Sequence, residues 1–109
     1  MLFLCSQNRL RSPTAERLFS GRSGIEAASA GMDPDAVKVV SAEAIQWADV
    51  IFVMEDWHRD LLERRFKRHV EHKRVVCLGI PDRYPYMDPE LVELLEMKLA
   101  PYLSIGVKR

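Results

Sequence analysis

The stretch from Met1 to Glu16 allows few folds, because an apolar run passes directly into a helix through a loop that opens on a thiol and closes on Arg-Ser. Met1-Leu2-Phe3-Leu4 has the wholly apolar pattern of a strand buried on both faces. Ser12-Pro13-Thr14-Ala15-Glu16 reads as a helix opening, with a hydroxyl N-cap, proline at the first helical position and an acid in the first turn. Ala15, Leu18 and Phe19 follow as an apolar face at helical spacing. The loop from Cys5 to Arg11 must therefore curl at a helix N-terminus. Backbone N–H groups there have no intrahelical partners and lie at the positive end of the helix dipole.

The alternation of strand and helix continues along the chain. Ile25 to Ser29 is a weak strand ended by Gly31, and Asp33-Pro34-Asp35 is a turn. Ser41 is an N-cap, with Glu43 in the first turn, for a short helix through Trp47. Asp49 to Met54 is a buried strand, and Asp56 to Arg68 is an amphipathic helix with Leu61, Leu62 and Phe66 inward. Arg74 to Ile80 is the last strand. Asp88-Pro89-Glu90 opens a final helix through Leu91, Leu94, Leu95 and Leu99. The expected architecture is α/β: a four-stranded parallel sheet of order 2-1-3-4 with helices on both faces. Ligands in such sheets bind at the carboxyl ends of the strands beside the chain reversal, which is where Cys5 stands.

The loop Cys5-Ser6-Gln7-Asn8-Arg9-Leu10-Arg11-Ser12 combines groups that suit a tetrahedral oxyanion. Its amides form an anion-sized concavity, and the planar fork of Arg11 can hold two phosphoryl oxygens. The same field favours the thiolate of Cys5. The Ser12 hydroxyl is placed to donate to that sulfur, and Asn8 to brace loop carbonyls and N–H groups. Arg9 is expected to point outward. These residues imply two displacements: Cys5 attacks phosphorus and expels an alcohol, then water hydrolyses the thiophosphate. The scheme needs no metal or cofactor, since the loop and Arg11 carry the equatorial charge.

Composition narrows the setting. A chain of 109 residues makes a single domain, residues 1–109, with one modest core. The 16 basic and 16 acidic residues balance, so no global field draws the chain to nucleic acid or membrane. No signal peptide or membrane-length apolar stretch is visible, and two cysteines make no disulfide framework, so a cytoplasmic location is expected. Cys77, in Val75-Val76-Cys77-Leu78, reads as an inert core thiol. The run from Arg64 to Arg74 (Arg64, Arg65, Lys67, Arg68, His69, His72, Lys73, Arg74) reads as the solvated end of a helix, with a docking patch for acidic protein or RNA as the sharper alternative. His69 and His72 have no partner carboxylates that would argue for a metal, and His58 receives no role.

These residues resemble the low-molecular-weight protein tyrosine phosphatases, and more narrowly a short bacterial branch of them. The resemblance begins at Cys5 through Glu16, continues at Ser29-Ala30-Gly31 and Ala48 to Met54, and reaches Ile80-Pro81-Asp82-Arg83-Tyr84. It implies phosphomonoester hydrolysis through a cysteinyl-phosphate intermediate, without cofactors. The implied substrate is a phosphotyrosine protein or a small aromatic or metabolite phosphoester. The chain departs from the family pattern at Leu10, where many members carry a second cysteine, and at Arg83, where proline usually follows the acid. Its segment between second strand and second helix is also shorter, without the family's His-x-Ala-Arg stretch.

A general acid must protonate the leaving oxygen. Asp82 follows the last strand directly, and position and resemblance both favour it. Asp88 precedes Pro89 and Glu90 and reads as an N-cap, but remains the alternative acid. Tyr84 either walls the pocket for an aromatic ester or packs; Tyr86 has the weaker claim. Trp47 is expected in the core; Trp57 starts a helix near the strand ends and either borders the pocket or packs, with packing the favoured reading. Two other classes compete with the hydrolase: a phosphate- or phosphoprotein-binding module without turnover, and an arsenate reductase, for which only Cys77 is available as a resolving thiol.

Overall fold

A computed structural model describes residues 1–107, except for the side chains of 23 and 104–107. The elements are β1 (Leu2–Cys5), α1 (Arg11–Phe19), β2 (Ala28–Gly31), α2 (Ala42–Trp47), β3 (Val50–Val53), α3 (Asp56–Arg65), α4 (Lys67–Val70), β4 (Arg74–Cys77) and α5 (Pro89–Val107). The four strands form one sheet of order β2-β1-β3-β4, and every pairing is parallel. Leu2, Phe3 and Leu4 stand opposite Ile51, Phe52 and Val53, which stand opposite Val75, Val76 and Cys77.

The strand alternation sorts the core into two layers. Leu2, Leu4, Ile51 and Val53 face Ile45 of α2, Leu62 of α3 and Val70 of α4. Phe3, Cys5, Phe52 and Met54 face Ala15 and Phe19 of α1 and Leu91, Leu95 and Leu99 of α5. Both faces of the sheet are thus covered, as an all-parallel sheet requires. On the second face Phe3 stacks on Phe52 at 5.3 Å, and Tyr102 meets Phe52 edge-on at 5.2 Å.

Several boundaries differ from the sequence expectation. β2 begins at Ala28, because the pairing with β1 starts where Ala28 N–H meets the Met1 carbonyl; it also takes in Gly31. Ile25 is buried behind a 3-10 turn at Arg22–Gly24 instead. The helix after β3 breaks at Phe66, where ψ swings to 39°, so that Leu62 and Val70 both reach the same apolar cluster. β4 ends at Cys77, although Leu78 N–H and Ile80 N–H still bond the Val53 and Met54 carbonyls across the left-handed Gly79. Trp47 is not in the core but 46 % exposed, for α2 is only six residues long and turns Ile45 inward, two positions away on the other side.

Two expected caps hold. Ser41 Oγ accepts the Ala44 N–H, and Asp88 Oδ1 accepts the Glu90 N–H at 2.8 Å. The basic run is divided among tasks: Arg65 donates to the Met32 carbonyl, and Lys73 Nζ donates to the carbonyls of Gln46 and Ala48 at the end of α2, while Arg64, Lys67, Arg68, His72 and Arg74 are exposed. Among the described residues no helix is long and apolar enough to cross a membrane.

Candidate active site

Parallel pairing brings the carboxyl ends of β1 and β3 side by side, and the loop after β1 turns there into α1. The carbonyls of Cys5, Ser6 and Gln7 accept the N–H groups of Met32, Asp33 and Val37, which tie one side of the loop to the segment after β2. Among the described residues no acceptor meets the N–H groups of Ser6 to Leu10. Gly31 permits this close approach. A Cβ there would lie 2.5 Å from Ala36 Cβ and 2.7 Å from the Ser6 carbonyl oxygen.

Asn8 is the loop's internal brace, by a different means than expected. Its backbone is left-handed at φ 57°, a conformation asparagine tolerates better than most residues. Its buried amide donates to Ser12 Oγ at 3.0 Å and Ser29 Oγ at 2.9 Å, not to loop carbonyls. Ser29 Oγ in turn donates to Glu16. Ser12 is not the N-cap of α1, since the helix already starts at Arg11 after Leu10. The Ser12 hydroxyl is turned to the thiol instead, 3.0 Å from Cys5 Sγ. Its partners are Cys5 and Asn8 of the same loop, with the Ala30 carbonyl at 3.4 Å, in place of a cap on the helix N–H groups.

Arg11 is the largest fully buried side chain. Nη1 donates to Glu55 Oε2 at 2.5 Å and to the Ile80 carbonyl at 2.8 Å. Nη2 reaches Ser6 Oγ at 3.4 Å, and among the described residues Nε has no hydrogen-bond acceptor, with Asp82 Oδ1 at 3.7 Å. Burial acts to raise the Glu55 carboxyl, but the bond and charge of Arg11, joined by the Trp57 bond and His58, outweigh it and hold the group below its usual 4.5.

His58 lies buried beneath the loop. Its Nδ1 accepts the Glu55 N–H at 3.0 Å, so the ring proton sits on Nε2, which meets Ser6 Oγ at 3.1 Å. Burial, then the adjacent Arg11 cation, lowers its pKa to about 4, so the ring is neutral at physiological pH.

A cavity of about 320 Å³ opens above these groups. Cys5, Ser6, Gln7, Arg9, Leu10 and Arg11 line it from the loop, and Asp33, Trp57 and Asp82 from neighbouring segments. Asn8 and Ser12 lie beneath it, and Arg9 is exposed at its rim, as expected. Asp82 borders the cavity, whereas Asp88 is engaged as the cap of α5. Tyr84 is outside the lining, half-buried against the α1/α5 core layer with the Arg83 guanidinium 6.0 Å from its ring, and Tyr86 is exposed. The aromatic wall is Trp57. The sequence favoured packing for Trp57 over its place at the pocket border, and it gave no site role to Glu55, His58 or Asp33. Glu55 is the second residue beyond β3, so the strand-end rule that located Cys5 could have found it.

Cys77 is level with Leu4 and two strand spacings away, about 10 Å, beyond disulfide reach of Cys5. Burial and a bond to Asp56 push its thiol up, as suits an unreactive cysteine. Among the described residues no cluster of ligating side chains could hold a metal ion.

No protein-family model matches the chain, and no curated protein matches it in sequence. Solved structures do match. The tyrosine phosphatase Wzb from Escherichia coli K30, in complex with phosphate, is 20% identical, with a TM-score of 0.77 over 95% of each chain. The YwlE arginine phosphatase from Geobacillus stearothermophilus is 23% identical, with a TM-score of 0.74 over 95% of this chain and 92% of that one. The low molecular weight protein tyrosine phosphatase SP-PTP from Streptococcus pyogenes is 17% identical, with a TM-score of 0.76 over 95% of this chain and 90% of that one. At these identities the likeness is one of architecture, and the four-stranded 2-1-3-4 sheet with its loop between β1 and α1 is the fold of the low-molecular-weight protein tyrosine phosphatases.

Proposed function

We propose that this chain hydrolyses phosphomonoesters with Cys5 as nucleophile. The observation that carries this reading is one cavity shared by Cys5, a run of loop amides without acceptors, and a buried arginine whose Nε lacks one. A buried donor left unmatched, such as Arg11 Nε, costs stability, and an oxyanion bound against it and the loop amides would satisfy it. The similar folds known as tyrosine and arginine phosphatases support the same chemistry.

The reaction has two steps. Cys5 Sγ attacks phosphorus, the P–O ester bond breaks, and the carboxylic acid of Asp82 gives its proton to the leaving oxygen. Water then attacks the thiophosphate, losing a proton to the Asp82 carboxylate, and sulfur departs as thiolate with a hydrogen bond from Ser12 Oγ. Arg11 offers Nε and Nη2 to the phosphoryl oxygens while Nη1 stays anchored on Glu55 and Ile80. Ser6 Oγ already accepts from His58 and Arg11, which leaves its own proton for a phosphoryl oxygen. Preorganised donors of this kind stabilise the transition state without reorganisation.

The test is hydrolysis of p-nitrophenyl phosphate. Turnover is expected in the wild type, abolished in Cys5→Ser and reduced at least about 100-fold in Arg11→Lys, which loses the bidentate fork. Phosphate binding without any turnover would instead make the chain a binding module.

A further inference from the structure

Trp57 is the aromatic side chain on the cavity wall, and it is tied to both halves of the anion site. Its indole N–H donates to Glu55 Oε1 at 3.1 Å, while the other oxygen of the same carboxylate holds Arg11. Its ring packs on His58, 4.2 Å between centroids, and His58 holds Ser6. The residue is nonetheless 43 % exposed. An exposed indole is normally free to sample rotamers; this one is fastened at its polar edge and packed against a buried ring. The fastening is economical only if the exposed part meets something.

We propose that Trp57 is the specificity-determining wall for aromatic phosphoesters and, through Glu55, a positioning residue for Arg11. This rests on reading the cavity as a phosphoester site. The exposed indole offers an apolar surface beside the phosphoryl position, where an aryl leaving group gains offset or edge contact that an alkyl group does not. Its N–H confines the Glu55 carboxylate to one Arg11 nitrogen, Nη1, and keeps Nε and Nη2 for the substrate. Without that bond Glu55 is free to swing and to compete for the fork.

The two roles separate in equilibrium binding, which needs no turnover. Inorganic phosphate, methylphosphonate and phenylphosphonate are titrated calorimetrically into wild type, Trp57→Phe and Trp57→Leu. Thermal unfolding confirms that each variant folds. The wild type is expected to prefer phenylphosphonate to methylphosphonate. Trp57→Leu should lose that preference by about ten-fold, and Trp57→Phe should restore it, since a ring remains. Both variants should weaken inorganic phosphate by about five-fold, because both lack the N–H that holds Glu55. An unchanged phenyl-to-methyl ratio in Trp57→Leu overturns the wall. Unchanged phosphate affinity in Trp57→Phe overturns the positioning role. Binding as described in a wild type that hydrolyses nothing would reject the hydrolase and keep this inference, whereas no binding of any of the three rejects both.

Discussion

Thr14 and Met87 join the two loops that border the cavity. The buried Thr14 hydroxyl accepts the Met87 N–H at 2.9 Å and donates to the Leu10 carbonyl at 2.6 Å. One side chain thus fixes the end of the loop between β1 and α1 and the segment that carries Asp82. Met87 sits at φ 60°, a left-handed conformation that costs a non-glycine residue about 1 kcal/mol, and the Thr14 bond helps to hold it there.

Thr14→Val should release the acid loop while leaving the nucleophile in place. Esters of poor leaving groups, which need the acid, should slow by about ten-fold, and p-nitrophenyl phosphate much less. Thr14→Ser, which keeps the hydroxyl, should behave as wild type. Rates across a series of aryl phosphates of increasing leaving-group pKa give the comparison, and a uniform loss across the series would refute the loop-holding role.

Asp82 and Asp88 should separate by phenotype. Asp82→Asn is expected to slow alkyl and phenyl esters by about 100-fold and nitrophenolate far less. Asp88→Ala removes the cap of α5 and should cost about 1 kcal/mol in urea unfolding with little change in rate. The reverse pattern would make Asp88 the acid.

Gly31→Ala places a methyl group against the Ser6 carbonyl, with the Asn8 nitrogen 3.0 Å away. Backbone cannot yield as a side-chain tip does, so the phosphate loop must shift. A loss of about 2 kcal/mol in stability is expected, together with weaker phosphate binding, read by urea unfolding and calorimetry. An alanine variant with wild-type affinity would show that the loop does not depend on this contact.

His58 ties stability to acid. Its folded pKa of about 4 lies below the 6.5 of the unfolded chain, so the unfolded state binds the extra proton between those values. The stability due to the neutral ring is complete above pH 6.5 and is lost as pH falls toward 4. Thermal unfolding of the wild type should therefore fall more steeply across that window than that of His58→Gln. Parallel curves for the two proteins would contradict a buried, neutral His58.

The apolar runs, the helix opening and the loop between them were legible in the chain, because periodicity and capping chemistry are local. They carried the α/β class, the strand order and the placement of Cys5 and Arg11 in one loop. Asp82 was legible as a carboxylate just past the last strand, and it borders the cavity. The Ser12 cap was misread for a physical reason: the helix starts one residue earlier, at Arg11, and the Ser12 hydroxyl bonds Cys5 and Asn8, each at 3.0 Å. The break at Phe66 and the exposure of Trp47 likewise follow from where the neighbouring helices and the sheet lie, which no window of sequence contains.

What the sequence determined alone is the loop from Cys5 to Ser12: its residues are contiguous, and a strand-to-helix turn suffices to shape them. What only the tertiary structure decided is how the loop is held and what faces it. Glu55, His58, Trp57 and Asp33 come from segments more than twenty residues away; Asp33 reaches the loop through the pairing of β1 with β2, and the other three through the pairing of β1 with β3, strands that are not neighbours in sequence. Register in a parallel sheet is set by packing on both faces at once, so the groups gathered at its carboxyl edge are a property of the assembled core.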